Sequence, residues 1–132
     1  MKKRSGIKLL DERVGTGKDI QRHKWYRMIL RIWLSDGEPV NWLKWIKPTG
    51  SLDGITFSED GSTITANHKF DRNDLFAGLF YGIEEMRIGG KRTLKISPHL
   101  AYREKGVDGI IPPNAVLKVE VEIIGEIEFD LT

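Results

Sequence analysis

Two runs of the chain decide its predicted fold: Ile96-Ser97-Pro98-His99-Leu100-Ala101-Tyr102 and Gly109-Ile110-Ile111-Pro112-Pro113-Asn114-Ala115. Before the first run, residues 73–83 carry apolar side chains at helical spacing. Residues 91–97 and 115–124 alternate apolar and polar side chains, which is typical of half-buried strands. Prolines at both ends of the connecting loop stiffen it, because each one fixes a φ angle. The sequence therefore predicts the order helix, strand, rigid loop, strand.

The amino-terminal part of the chain predicts two further strands. Residues 7–14 form the first, and a turn over residues 15–18 follows it. Residues 25–35 form the second, and its uniformly apolar face should point to the core: Tyr26, Met28, Leu30, Ile32 and Leu34. The opposite face mixes arginine with tryptophan, so it should meet solvent. Asp36-Gly37 then predicts a hairpin turn.

Residues 42–66 predict an extra β-hairpin that lies beside the pocket and outside the main core. Two β-branched runs flank the turn signal Asp60-Gly61. Trp42 and Trp45 precede them and would form a large apolar patch if both were exposed. Two interpretations remain open for this segment: a surface elaboration without function, and a flap or partner-binding surface built on the two tryptophans.

Composition limits the class of protein. The 132 residues correspond to one domain, and the absence of cysteine excludes disulfides and thiolate metal ligands. The 21 basic and 19 acidic residues leave a net charge of +2, too small an excess for a dedicated nucleic-acid binder. The basic start of the chain precedes no apolar stretch of a signal peptide, and no apolar run reaches the ~18 residues of a membrane span. We therefore expect a soluble, cytoplasmic protein without nucleic-acid or membrane partners.

The remaining candidate motifs are weak. His23, His68 and His99 lack metal-ligand spacing, so neither a metal nor another cofactor is predicted. The glycines of residues 15–17 lack the third glycine and the strand–turn–helix context of a phosphate loop. Asp71 and Asp74 are predicted to lie near the N-terminus of the helix, where negative charge is favourable.

The carboxy-terminal half resembles the FKBP-type peptidyl-prolyl cis–trans isomerases. The resemblance is carried by Gly82-Ile83, Met86, Gly89 and Arg92, then by the runs 96–102 and 109–115, and upstream by Leu34-Ser35-Asp36-Gly37. It covers residues 73–125 strongly, 6–41 moderately and 42–66 hardly at all. It implies a single domain over residues 1–132, with its core at 6–128. The implied fold is α+β, a curved antiparallel sheet of five to six strands wrapped over one short α-helix, with the hairpin insertion at 42–66.

The resemblance also implies a site at the rigid loop and the start of the helix. Tyr102 matches a tyrosine that hydrogen-bonds a substrate carbonyl, the N–H of Phe76 matches a backbone donor to the bound carbonyl, and Ile111 matches a wall residue. The implied substrate-binding residues are Leu30, Val40, Asn41, Leu75, Leu79, Ala101, Ile110 and Val119.

Several of these residues depart from the family pattern. Leu79 stands where the family usually has a tryptophan floor, Leu30 where a tyrosine is usual, and Val119 where a phenylalanine is usual. Val40-Asn41 replaces a phenylalanine–aspartate pair. The lining is therefore mostly aliphatic where the family's is aromatic.

Prolyl isomerisation suits a site of this kind, because it needs no nucleophile and no metal. The amide loses its resonance as it twists, over a barrier of about 20 kcal/mol. A dry apolar wall and a fixed donor favour the twisted form. The sequence predicts a weak isomerase that acts on proline-containing peptides or proteins and assists their folding, with a further protein partner at Trp42 and Trp45. The alternative is a non-catalytic FKBP-like binding module or chaperone.

Overall fold

The computed structural model describes residues 4–45 and 54–128. Its elements are β1 (Ile7–Arg13), β2 (Trp25–Trp33), α1 (Trp42–Trp45), β3 (Thr56–Phe57), β4 (Ile64–Lys69), α2 (Ala77–Gly82), β5 (Lys91–Ile96), a 3-10 turn (Pro98–Leu100) and β6 (Leu117–Ile127). The strands form one six-stranded antiparallel sheet in the order β1-β5-β6-β2-β4-β3. The predicted α+β class is confirmed.

The inner face of the sheet is built from the alternation that the sequence shows. On β6 the fully buried residues are Leu117, Val119, Val121 and Ile123, and on β2 the buried ones are Tyr26, Met28, Leu30 and Ile32. The residues between them are exposed or half-buried. Because β6 pairs with β5 on one side and with β2 on the other, its inner row lies at the centre of the core. The predicted inward faces of both strands are confirmed.

The helix α2 approaches β5 closely because two glycines face the strand. Gly78 and Gly82 lie one turn apart. A Cβ at Gly82 would come 2.5 Å from Leu94 Cδ1, and one at Gly78 would collide with the side chain of Ile96. Leu94 and Ile96 are themselves fully buried. Helix and sheet are therefore in contact at a distance that only a residue without a side chain allows.

A buried arginine fixes the end of α2. Arg92 on β5 is 3% exposed. Its Nη1 donates to the carbonyl oxygens of Gly82 at 2.9 Å and Glu84 at 2.7 Å, and its Nε donates to the carboxylate of Glu12 on β1. The guanidinium thus donates to carbonyl oxygens at the helix C-terminus, which receive no N–H from within the helix. One side chain ties α2, β5 and β1 together.

The helix is shorter than the predicted 73–83, because Asp71 holds the residues before it in a turn. Its Oδ1 accepts the N–H groups of Asn73 and Asp74, each at 3.1 Å, and its carbonyl accepts that of Leu75 at 3.0 Å. Aspartate competes with helix formation by bonding the backbone in this way. The prediction placed Asp71 near the start of the helix; it organises the preceding turn instead.

The segment 42–66 differs from its prediction in part. β3 and β4 form the predicted hairpin. However, β4 also pairs with β2, and Ile64 and Ala66 on it are 2% and 4% exposed. The prediction that the whole segment lies outside the main core is therefore wrong, because the second strand completes the central sheet. Residues 46–53, which belong to the predicted insertion, lie outside the described residues.

The two tryptophans do not form the exposed patch that the sequence suggested. Trp42 is 7% exposed and belongs to the core, and Trp45 is half-buried against it. Both lie on the single turn α1, where residues three apart share a face. The condition on which the sequence analysis based an apolar patch, exposure of both rings, is therefore not met.

The glycine contact between α2 and β5 leads to a stability prediction. Gly78→Ala should lower the free energy of unfolding by about 1–3 kcal/mol, because the new methyl group collides with Ile96 and lies 2.9 Å from the Leu100 carbonyl oxygen. This loss occurs although alanine favours helix more than glycine does. Urea unfolding measures it. Gly125→Ala is the matched control, since its Cβ would have no neighbour within 4 Å, and it should change stability by less than about 0.5 kcal/mol. Equal effects of the two substitutions would contradict the close-contact account.

Candidate functional site

The loop between β5 and β6 is held by its own backbone hydrogen bonds. After the 3-10 turn, the N–H groups of Ala101 and Arg103 both donate to the Pro98 carbonyl at 3.0 Å. The N–H of Asn114 donates to the Arg103 carbonyl at 2.7 Å and closes the loop across its base. These bonds bracket Tyr102 on both sides. Its position is therefore set by the loop itself, as the two proline sites suggested.

Four aromatic rings from three separate segments meet around Tyr102. The Tyr102 ring centroid lies 5.3 Å from that of Phe76 and 5.3 Å from that of Trp45. Trp45 in turn stacks on Trp42, with centroids 5.0 Å apart and an angle of 6° between the planes. We call Trp42, Trp45, Phe76 and Tyr102 the ring cluster. Phe76, Tyr102 and Trp45 are half-buried, so they present aromatic surface at the molecular boundary.

The hydroxyl group of Tyr102 keeps its proton and can donate a hydrogen bond. Burial raises the pKa of Tyr102 to about 12, because desolvation disfavours the phenolate. The phenol is therefore neutral and carries its proton at any physiological pH. A substrate carbonyl oxygen needs a donor of this kind.

The start of α2 supplies a second donor next to the Tyr102 ring. Phe76 is the N-cap residue, with extended φ and ψ of −66° and 157°, and its carbonyl oxygen accepts the N–H of Phe80 at 3.0 Å. A phenylalanine side chain cannot cap the helix, and no acceptor for the Phe76 N–H is seen among residues 4–45 and 54–128. The first turn of a helix has no intrahelical acceptors for such groups. The residue that carries this N–H is therefore in ring contact with the residue that carries the hydroxyl.

A partly buried histidine anchors the turn that leads into Phe76. Nδ1 of His68 on β4 lies 3.3 Å from Oδ2 of Asp74, which also accepts the backbone N–H of Lys69 at 2.7 Å. Burial lowers the pKa of His68, and the nearby Asp74 carboxylate offsets only part of that shift. Asp74 therefore fastens the turn to the sheet.

Two of the three predicted catalytic residues are in contact, and the third lies on the same loop as Tyr102. Phe76 and Tyr102 are in ring contact. Ile111 is 3% exposed, and its backbone pairs with that of Val107, so it lies beneath the loop surface. Ala101 and Ile110 are half-buried on the same loop.

The predicted floor of the pocket is filled with aliphatic side chains. Five of the predicted substrate-binding residues belong to the core, each less than 5% exposed: Leu30, Val40, Leu75, Leu79 and Val119. Asn41 acts locally, since its Oδ1 accepts the N–H of Leu43 at 2.9 Å and begins α1. Their contacts with a substrate remain predictions.

The sequence alone left open whether Trp42 and Trp45 form a flap over the pocket or a partner surface. They directly follow Val40-Asn41, where the family pattern has pocket residues. The structure places the Trp45 ring against Tyr102 and the Trp42 ring against Trp45. Trp42 also holds a buried indole N–H for which no acceptor is found in the described part of the chain. Aromatic surface lost from the strands is thus supplied in part from α1.

The described residues contain neither a metal-binding cluster nor a membrane-spanning helix. Residues 4–45 and 54–128 contain no cluster of three His, Asp or Glu side chains placed to hold a metal ion. No helix within the same ranges is long and apolar enough to cross a bilayer.

Comparison with known proteins assigns the family. The sequence profile described as FKBP-type peptidyl-prolyl cis-trans isomerase matches residues 46–124, which is more than half of the chain. The chain belongs to the FKBP-type peptidyl-prolyl cis–trans isomerase family. Its resemblance to that family, stated from the sequence motifs, is confirmed.

Individual relatives match parts of the chain. FK506-binding protein 2 of Candida glabrata is 48% identical over 56 residues, which are 42% of this chain and 41% of that protein. Peptidyl-prolyl cis-trans isomerase FKBP9 of Homo sapiens is 35% identical over 85 residues, which are 64% of this chain and 15% of that protein. The matched segments therefore span less than half the length of these relatives.

Solved structures match over nearly the whole chain. The crystal structure of AtFKBP13 has a TM-score of 0.69 and 25% identity, and the match covers 93% of this chain and 94% of that one. The N-terminal domain of FKBP42 from Arabidopsis thaliana has a TM-score of 0.66 and 19% identity, with 95% and 89% covered. The second likeness shows the fold alone.

The His68–Asp74 pair predicts a pH dependence of stability. The pKa of His68 is lower in the folded state than the ordinary value of 6.5, so the unfolded state binds the proton more readily. The contribution of His68 to stability is present above pH 6.5 and is lost as the pH falls toward the folded-state pKa. The free energy of unfolding of the wild type should therefore fall more steeply between about pH 7 and pH 5 than that of His68→Gln. Parallel profiles for the two proteins would contradict this account.

The buried phenol of Tyr102 predicts an alkaline titration. One tyrosinate absorbance step should occur near pH 12 in the wild type and be absent from Tyr102→Phe. Because the folded-state pKa is raised above the ordinary value of 10, the stability contribution of this proton is complete below about pH 10 and is lost as the pH rises through about 12. A step near pH 10 that Tyr102→Phe removes would show an exposed phenol and contradict the burial.

Proposed function

We propose that this protein is a peptidyl-prolyl cis–trans isomerase of low turnover that acts on proline-containing polypeptides and assists their folding. The observation that carries the proposal is the ring contact between Tyr102 and Phe76. Tyr102 has a neutral hydroxyl donor, and Phe76 has a backbone N–H without an acceptor among the described residues. Membership of the FKBP-type family supports the reaction class.

The arrangement acts on the substrate amide by position and environment. A proline ring packs on the faces of Trp45 and Phe76, where water is partly excluded. The Phe76 N–H and the Tyr102 hydroxyl donate to carbonyl oxygens that flank the rotating bond and hold them in place. Twisting reduces the dipole of the amide, so apolar walls favour the twisted form over the planar one. Donors fixed by the fold need no reorganisation during the rotation.

Low turnover follows from the filled floor. Each exchange of phenylalanine for a residue the size of valine removes about 1–2 kcal/mol of apolar contact with a bound ligand. Val119 stands at such a position, and Leu79 stands where the family has a larger tryptophan. They are 0% and 1% exposed, so a ligand meets little of their surface. The proline ring therefore contacts the half-buried rings near the surface, which form a shallow site.

A second candidate function is favoured by the same filled floor. If the shallow rings bind an apolar segment without holding its carbonyls, the protein is a binding module or chaperone and not an isomerase. The burial of Leu30, Leu79 and Val119 supports this alternative, because these three side chains offer a ligand little surface. A separate protein partner at Trp42 and Trp45 has less support, because Trp42 is buried.

An isomerase assay on a short alanine–proline peptide, followed by NMR exchange, tests the proposal. The wild type should accelerate cis–trans exchange. Tyr102→Phe should lower kcat/KM about twofold to tenfold, because one neutral hydrogen bond is lost. Trp45→Ala should lower it by a similar factor through lost ring contact. Leu43→Ala is the matched control, since Leu43 lies on the same helical turn but is 43% exposed, and it should leave the rate unchanged.

The assay also separates the two candidates. Peptide binding that depends on Trp45, together with no acceleration by the wild type, would reject the isomerase and establish the binding module. Acceleration that survives in both Tyr102→Phe and Trp45→Ala would place the active site elsewhere.

A further inference from the structure

Three lysines form a continuous row across the outer face of the sheet. The register places Lys8 on β1 opposite Lys95 on β5, and Lys95 opposite Lys118 on β6. Lys118 in turn lies opposite Trp33 on β2. Directly opposed residues of antiparallel strands project from the same face, with Cβ atoms about 5 Å apart. All three lysines are exposed. We call Lys8, Lys95 and Lys118 the lysine row.

Two cations further along the same face are paired with carboxylates, whereas the lysines of the row are not. Further along β5, Lys91 Nζ lies 3.2 Å from the carboxylate of Glu120, and Arg13 on β1 lies 3.2 Å from that of Glu122. Among residues 4–45 and 54–128, no carboxylate lies within 4.0 Å of the amino groups of Lys8, Lys95 or Lys118. Like charges directly opposite each other destabilise a sheet. Three of them in line therefore have a cost in stability that the adjacent pairs avoid.

A groove of about 450 Å³ opens beside the lysine row. Lys95 and Lys118 line it together with Leu10, Trp33, Leu34 and Ser35. A bulge in β1 between Leu9 and Asp11 turns Leu10 toward this groove, where it is 45% exposed. Lys118 Nζ lies 4.9 Å from the centroid of the Trp33 ring. This cation–π contact keeps the amino group beside the groove that both residues line. Uncompensated positive charge and exposed apolar surface thus occur at the same place.

We propose that the lysine row and its groove form a docking surface for an acidic polypeptide segment that carries an apolar residue between its carboxylates. The lysine row spans two strand spacings, about 10 Å. In an extended peptide, side chains at alternate positions share a face, so two carboxylates four positions apart lie about 13 Å apart, with one apolar side chain midway between them on the same face, and the flexible lysine stems reach the carboxylates. The carboxylates pair with the lysines. The apolar side chain between them enters the groove against Leu10 and Trp33.

A peptide fits this surface better than a nucleic acid does. The positive patch is short, because Glu120 and Glu122 follow Lys118 along β6 on the same face. A phosphate backbone that extended beyond the lysine row would meet those carboxylates. The net charge of +2 over the chain also gives little general attraction for a polyanion. The apolar part of the groove needs a side chain that a phosphate backbone does not offer.

This surface is separate from the ring cluster. Lys118 points outward from β6, whereas its neighbours Leu117 and Val119 point into the core beneath α2. The docking surface and the proposed isomerase site therefore lie on opposite faces of the sheet. The inference does not depend on the proposed function, and a failure of one leaves the other intact.

Fluorescence anisotropy with a capped, fluorescein-labelled pentapeptide of sequence Glu-Gln-Leu-Gln-Glu, whose two carboxylates and leucine share one face of the extended chain, tests the proposal. The wild type should bind it, with affinity that falls as salt rises. Lys95→Gln and Lys118→Gln should each weaken binding about fivefold. Lys91→Gln is the matched control, since Lys91 lies on the same strand and face but is paired with Glu120, and it should leave the affinity unchanged. The peptide Gln-Gln-Leu-Gln-Gln should not bind.

A second measurement needs no ligand. Lys95 has a like charge on each side, so Lys95→Gln should raise Tm by about 1–3 °C, whereas Lys91→Gln should not raise it. Loss of binding together with gain of stability identifies a residue kept for recognition. Equal binding of the glutamate and glutamine peptides, or affinity unaffected by both Lys95→Gln and Lys118→Gln, would overturn the proposal. Tighter binding of a short oligothymidylate than of the pentapeptide would replace it with a nucleic-acid surface.

Discussion

The close contact between α2 and β5 is the constraint on which the rest of the structure depends. Gly78 and Gly82 let the helix backbone lie directly on Ile96 and Leu94, and Arg92 fastens the helix C-terminus to the same strand. The other end of the helix is then fixed in space, so the N–H of Phe76 has one position relative to the sheet. Because β5 also leads into the loop that carries Tyr102, a single contact sets both donors of the candidate site.

The candidate site shows how a family architecture persists while its lining changes. Large rings that the family has on two strands and the helix are replaced by Leu30, Val119 and Leu79, which are buried in the core. The aromatic surface is instead concentrated at the boundary, where Trp45 and Phe76 contact Tyr102. Apolar side chains at the surface remain partly hydrated, so their contacts with a ligand contribute less to binding than buried contacts do. A shallow site of modest turnover is the expected physical result.

The two faces of the sheet follow different rules. Inside, alternate residues of β2 and β6 are packed and have no contact with water, so any polar change there is costly. Outside, charges are free to vary, and some of them are paired across strands, as in Lys91 with Glu120. The lysine row has no such pairing among the described residues. Its three aligned like charges are the reason for proposing a recognition surface there.

The sequence by itself determined the strands, the existence of the helix, the family and the loop of Tyr102. These features are local, because hydrophobic period, glycine and proline act on neighbouring residues. Only the tertiary structure decided the late start of the helix, which follows from the bonds of Asp71 to its neighbours. It alone placed β4 in the central sheet, buried Trp42 and brought Trp45 to Tyr102. The lysine row likewise exists only through strand register. Contacts between residues far apart in the chain depend on the packing of the whole domain, and no short stretch of sequence specifies them.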